Sequence, residues 1–205
     1  MSEMARIESL ISDLGRVILD FDNRIFLRKM EAYSPLTAEE MMDRFRGSIS
    51  ILHRFDSGKI DPDEFFAEAS SLLQATIDKT SFFRFYNDVF FLNPEVLDVL
   101  KSFKGRYRLV LLSNTDVQRF GHIRENFPQI FFFDAYVLSY QAGVIKPDPE
   151  IYKLALEAAQ AQAEECVFID DLENNIAAAK ALGIRTFHMT PGADIAGGLR
   201  DLGLR

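Results

Sequence analysis

Residues 9–19 read Ser9-Leu10-Ile11-Ser12-Asp13-Leu14-Gly15-Arg16-Val17-Ile18-Leu19, a short run of buried-strand character that stops at a carboxylate and a glycine. A strand covered on both faces, as in a parallel sheet, carries a short apolar run without polar alternation. Two further runs of this kind occur at 109–112 and 166–169, and residues 184–188 read as one more strand. The first three each end in reactive or metal-binding side chains: Asp13, then Ser113-Asn114-Thr115, then Asp170-Asp171. Open α/β sheets bind ligands beyond the carboxyl ends of their strands, so this coincidence predicts a site there.

Helices are expected between the strands. Asn93-Pro94 is an N-cap followed by proline at the first helical position, with Val96, Val99, Leu100 and Phe103 at helical spacing and Gly105 as the stop. Asp148-Pro149 opens another, with Ile151, Leu154, Ala155 and Ala158 as its expected inner face. A third, rich in alanine, runs from about Glu173 to Leu182 and closes at Gly183. Alternating strand and helix predict an α/β, doubly wound (Rossmann-like) parallel sheet.

The stretch 23–92 has a different character. Thr37 to Glu40 and Asp61 to Glu64 both carry capping-box spacing, and Phe65, Phe66, Ala69, Leu72 and Leu73 form a helical stripe. No strand signal of comparable strength occurs there. It is expected to be an inserted α-helical cap domain, which leaves a core domain made of 1–22 and 93–205. Most of the 19 phenylalanines fall in this insertion or at 131–133 and are expected in the core.

Composition narrows the function. No apolar run approaches the roughly 20 residues that span a bilayer. The N-terminal MSEMARIES does not read as a signal peptide, so a cytoplasmic protein with no membrane partner is expected. The net charge of −8 and the lack of a basic stripe argue against a nucleic-acid partner. Cys166, the single cysteine, lies in an apolar run and is expected as a small core residue. His53, His122 and His188 lack zinc-site spacing. Dinucleotide, P-loop and hydrolase-elbow motifs are all missing from the sequence.

The strand-end residues suggest one chemistry. Adjacent carboxylates such as Asp170 and Asp171 repel each other unless a cation or proton compensates. Mg²⁺ is the natural compensator, since it takes carboxylate oxygens and fills its remaining positions with water and substrate phosphate. Ser113 and Asn114 offer donors to phosphate oxygens, and Lys146 offers a fixed positive charge. Carboxylate nucleophile, hydroxyl, lysine and acidic pair together are what phosphoryl transfer needs, because positioning and charge neutralisation dominate it.

Four segments resemble the motifs of the haloacid dehalogenase superfamily: residues 12–18, 111–115, 143–152 and 168–175. They come in the family's order, with 100 residues from Asp13 to Ser113, 33 more to Lys146 and 25 more to Asp171. The helical insertion sits where that family carries a cap. The resemblance implies a phosphatase in which Asp13 attacks phosphorus and forms an aspartyl-phosphate. It implies Mg²⁺ held by Asp13, the Gly15 carbonyl and Asp171, with Asp170 acting directly or through a water. Ser113 and Asn114 would hold the phosphoryl oxygens, Lys146 would neutralise charge, and Asn175 would orient the fourth motif. The expected substrate is a small phosphorylated metabolite. A non-catalytic phospho-acceptor is the alternative, and carbon–halogen hydrolysis is a weaker one because the acidic pair argues for metal.

One position departs from the common pattern. Many phosphatases of the family carry an acid–base aspartate where this chain has Gly15. Asp-Leu-Gly instead resembles a subset of sugar-1-phosphate phosphatases. Asp20 and Asp22 stand as substitute proton carriers or, the favoured reading, as residues fixing the turn into the insertion. Arg16 either contacts substrate or, again favoured, is exposed or ion-paired.

Overall fold

The computed structural model describes residues 5–205. Residues 1–4, part of the N-terminal stretch and of the expected core segment 1–22, lie outside the described residues. Seven strands form: β1 (Ser9–Ser12), β2 (Leu19–Phe21), β3 (Phe90–Leu92), β4 (Arg108–Ser113), β5 (Ala135–Leu138), β6 (Cys166–Asp170) and β7 (Arg185–His188). Five make one parallel sheet in the order β5-β4-β1-β6-β7. All four residues of β1 are buried between its neighbours, which is why the run carries no polar alternation. Alternate side chains feed opposite layers: Leu10 joins one apolar cluster and Ile11 the other.

Eleven α-helices complete the described residues. In the insertion lie α1 (Asn23–Met30), α2 (Ala38–Gly47), α3 (Ile49–Asp56), α4 (Pro62–Leu72) and α5 (Lys79–Asn87). Around the sheet lie α6 (Pro94–Ser102), α7 (Val117–Asn126), α8 (Ser139–Ala142), α9 (Pro149–Ala159), α10 (Glu173–Ala181) and α11 (Ile195–Asp201). The expected N-caps all form: Asn93 on α6, Asp148 on α9, and full capping boxes from Thr37 and Asp61 on α2 and α4.

Helices α1 to α5 bury a cluster of their own, built around Phe26, Phe55, Phe65, Phe82 and Tyr86. Phe55 and Phe65 stack with centroids 4.1 Å apart, and Phe26 meets Phe82 edge-on at 5.3 Å. Aromatic side chains bury much area for few residues, so a small helical unit can hold itself together with them.

Three expectations need correction. The inner face of α9 is Ile151, Tyr152, Ala155 and Ala159, while Leu154 is exposed. Tyr152 draws the helix round, because its hydroxyl donates to the Asn175 carbonyl (3.0 Å) and its ring meets Phe168 edge-on. Strand β5 was not expected, its run being broken by Tyr136. The insertion also contains strand at its far end: β3 pairs antiparallel with β2, Leu19 opposite Leu92 and Phe21 opposite Phe90. Three residues a side are too short for a periodic signal. Asp22 follows this ribbon and caps α1 through the Arg24 N–H, as the turn-fixing reading expected.

The insertion docks on the sheet domain through backbone. Ser139 Oγ donates to the Asp56 carbonyl at 2.5 Å and accepts from the Thr115 N–H at 2.9 Å. Gly58 has φ +65, and a Cβ there would fall 2.3 Å from the Tyr140 carbonyl oxygen. Left-handed backbone alone costs a residue with a side chain about 1–2 kcal/mol. Gly58→Ala is therefore expected to lower stability by at least about that amount, read from the urea midpoint. An unchanged midpoint would contradict the close docking.

Candidate active site

The carboxyl ends of the three central strands, β4, β1 and β6, deliver Ser113, Asp13 and Asp170 to one place. Asp13 follows β1 directly, held in register by its N–H on the Ile169 carbonyl (2.9 Å). The chain then turns back on itself, with Arg16 at φ 54 and its N–H on Leu19 O.

Lys146 reaches this point from the loop between α8 and α9. Its side chain is 1% exposed, and its ammonium lies 2.8 Å from Asp13 Oδ1 and 2.6 Å from Asp170 Oδ2, and it donates to the Leu112 carbonyl at 3.1 Å. Burial alone would lower the lysine pKa, but Asp13 and Asp170 outweigh it and hold the group above its ordinary range. The loop is tied down by Asn114, whose side chain accepts from Lys146 N–H (2.7 Å) and donates to Lys146 O (3.0 Å). Asn114, read as a phosphate donor, thus has a structural task through one of its two amide hydrogens.

Asp170 is fully engaged. Oδ1 accepts from Leu172 N–H and Asn175 Nδ2, and Oδ2 from Lys146 and the same Asn175 amide. Asn175 is therefore a buried clamp on Asp170, itself braced by Tyr152 through its carbonyl. Asp171 differs: its charged neighbour is Arg16, 4.0 Å away. Arg16 is exposed and lies over the Phe21 ring (5.0 Å), so it takes the ion-paired form favoured above.

Asp13, Asp170 and Asp171 each present an oxygen within 4.8 Å of the others. Against these three carboxylates stand one buried ammonium, Lys146, and the exposed Arg16, 4.0 Å from Asp171. Burial pushes Asp13 up to about 7 against the pull of Lys146, and burial with Asp170 raises Asp171. An all-oxygen, charge-deficient trio suits a hard divalent cation such as Mg²⁺.

Neighbours of the trio, Leu14, Lys146 and Leu172 among them, line a cleft of about 770 Å³ between sheet and insertion. Gly15, Ser113 and Lys146 line its floor, and His53, Asp56 and Tyr86 line its roof. Phe21 sits against Gly15, and a Cβ at Gly15 would lie 3.2 Å from the ring edge. A side chain at 15 would therefore crowd the Phe21 ring. Asp20 is exposed, Asp22 is spent on Arg24, and neither lines the cleft.

Sequence reading missed a second polar group above this floor. Asp116 is fully buried, caps α7 and accepts the Tyr86 hydroxyl at 3.0 Å. Arg119 lies 4.1 Å over the Tyr86 ring and donates to Asn23 at 2.8 Å. Burial and the nearby Asp116 push Asp56 up to about 7, although Arg119 pulls the other way. The N-cap spacing of Asp116 was visible in the sequence, but nothing there marked its burial against Tyr86.

Comparison with known proteins identifies a family. The haloacid dehalogenase-like hydrolase family matches residues 15–183. This chain belongs to that family. A D-ribitol-5-phosphate phosphatase of Bacteroides thetaiotaomicron is 29% identical over 92% of this chain and 94% of its own. A sesquiterpene phosphatase of Aspergillus oryzae is 27% identical over 73% of this chain and 77% of its own. The crystal structure of a haloacid dehalogenase family enzyme from B. thetaiotaomicron in a magnesium complex superposes with TM-score 0.83 and 28% identity, covering 96% and 100% of the two chains. The family, the phosphatase class and the magnesium expected from the sequence agree with these matches. Among the described residues, no helix is long and apolar enough to cross a membrane.

Lys146→Met leaves two buried carboxylates without their cation, a loss of about 3–5 kcal/mol in magnesium-free buffer. The loss should shrink at low pH, where the carboxylates take up protons. In the wild type, Asp13 and Asp56 have folded pKa values raised from 3.8 to about 7. Their contribution is full below about 4 and is lost as pH rises through about 7, so metal-free stability is expected to fall between pH 5 and 8. Denaturant titrations at both pH values measure both effects, and a flat wild-type profile would contradict the burial of these two carboxyls.

Proposed function

We propose that this enzyme is a Mg²⁺-dependent phosphomonoesterase acting on a small phosphorylated metabolite, a sugar or polyol phosphate, through an aspartyl-phosphate on Asp13. The observation that carries the reading is the Lys146 ammonium 2.8 Å from Asp13 on the floor of a cleft that also presents Ser113. In this reading residues 23–92 act as the cap and 1–22 with 93–205 as the core.

Asp13 attacks phosphorus in line with the departing oxygen. Ser113, and the free amide hydrogen of Asn114, donate to the phosphoryl oxygens. Lys146 aims Asp13 and draws its pKa down against the push of burial, and it offsets negative charge as the phosphoryl group arrives. Asp13, Asp171 and the Gly15 carbonyl would hold Mg²⁺, which supplies the further positive charge that lets a dianion approach two carboxylates. Asp170, saturated by Lys146, Asn175 and the Leu172 N–H, acts through water and through Lys146 rather than as a direct ligand. The polyol choice is supported by the D-ribitol-5-phosphate phosphatase likeness and by a cleft roof carrying Asn23, His53 and Asp56, polar partners for hydroxyls.

The test is turnover of p-nitrophenyl phosphate, ribitol 5-phosphate, glucose 1-phosphate and glycerol 3-phosphate, with Mg²⁺ and with a chelator. Activity is expected only with metal, and Asp13→Asn should lower it by at least about 10³-fold. Asp171→Asn should raise the Mg²⁺ needed for half activity by about tenfold or more. Stoichiometric labelling of Asp13 without turnover would assign a phospho-acceptor instead.

A further inference from the structure

An alkyl phosphate leaves as an alkoxide, a poor leaving group, unless a proton reaches the bridging oxygen as the bond breaks. Gly15 has no side chain to supply it, and Phe21 occupies the space beside it. The titratable side chains that line the cleft are His53, Asp56, Tyr86, Arg119, Lys146 and Glu173. Lys146 is tied to Asp13 and Asp170, and the Tyr86 hydroxyl is spent on Asp116. Arg119 is a permanent cation, held over Tyr86 and on Asn23. Glu173 is exposed in the first turn of α10, and His53 is exposed on α3.

Asp56 alone combines the needed features. Asp56 lines the cleft at the end of α3, and among the described residues no hydrogen bond takes up either carboxyl oxygen. Its backbone is fixed to the phosphate-site loop, since Ser139 Oγ bridges the Asp56 carbonyl and the Thr115 N–H, two residues beyond Ser113. On the basis of this placement, and resting on the phosphatase reading above, we propose that Asp56 is the catalytic acid and base, supplied by the insertion instead of by the strand-end motif. Burial beside Asp116 keeps its carboxyl protonated up to about pH 7, as a proton donor requires.

In the first step Asp13 Oδ bonds to phosphorus, the P–O bond to the alcohol breaks, and its electron pair takes the Asp56 proton. Alcohol leaves and Asp56 becomes a carboxylate. In the second step water attacks phosphorus, its proton passes to Asp56, and the P–O bond to Asp13 breaks to release phosphate and restore both groups. Because Asp56 rides on the insertion, proton transfer is available only while the insertion sits over the cleft.

The test compares Asp56→Asn with wild type on p-nitrophenyl phosphate, whose phenolate leaves without help, and on whichever alkyl phosphate of the panel above turns over fastest. With the aryl ester, the variant should release one equivalent of p-nitrophenolate at close to the wild-type rate, then turn over slowly. With the alkyl phosphate there should be no burst, and kcat should fall about 10²-fold or more with KM within a few-fold. Asp56→Ser should repeat the pattern, and a thermal melt checks that both variants fold. Asp20→Asn, at an exposed carboxylate outside the cleft, should leave both substrates within about threefold. Absence of the burst on the aryl ester, a change in KM alone, or the split pattern appearing in Asp20→Asn would overturn the assignment. Wild-type inactivity on every ester would instead defeat the phosphatase reading.

Discussion

The Lys146 ammonium between Asp13 and Asp170 is the contact on which the site depends. Three chain segments far apart in sequence meet there, and each brings a charge that could not be buried alone. Bringing a charge into the interior costs several kcal/mol per ion, on the order of what a whole domain can spare, so these groups persist only as a set. The set is also biased: negative charge exceeds positive at the mouth of the cleft. In the proposed reading, that deficit is what a divalent cation arriving with a phosphate would fill.

The rest of the fold serves to hold the set rigid. Strands β4, β1 and β6 lie side by side, so their ends converge without long loops. Asn175 locks Asp170, Asn114 locks the Lys146 loop, and Tyr152 braces Asn175 from the helix behind. The insertion, by contrast, is joined to the sheet domain by the short β2/β3 ribbon and seated through Ser139, Gly58 and Tyr86. It carries an aromatic core of its own, so it can present a polar roof without borrowing apolar surface from the sheet. In the proposed reading, the sheet ends would carry the phosphoryl chemistry and the insertion would meet the rest of the substrate.

The sheet domain and its strand-end residues were legible because buried parallel strands write unbroken apolar runs and polar stops into the chain. Capping boxes at Thr37 and Asp61 were legible for the same local reason. What stayed hidden was set by tertiary contact. The rotation of α9 depends on a hydroxyl of Tyr152 finding Asn175, and β3 exists only because β2 lies beside it. Asp56, Asp116 and Arg119 carry no motif, and their proximity depends on how the insertion docks. The partial filling of the space beside Gly15 by Phe21, six residues on, likewise needs coordinates to be seen.

The most direct test of the account is a crystal structure grown with Mg²⁺ and beryllium trifluoride, which mimics a phosphoryl group on a carboxylate. The account predicts the fluoride adduct on Asp13, one Mg²⁺ between Asp13 and Asp171, and Lys146 and Ser113 in contact with the adduct. An adduct on another residue, or a metal held away from Asp13 with Lys146 still closed on both aspartates, would contradict it.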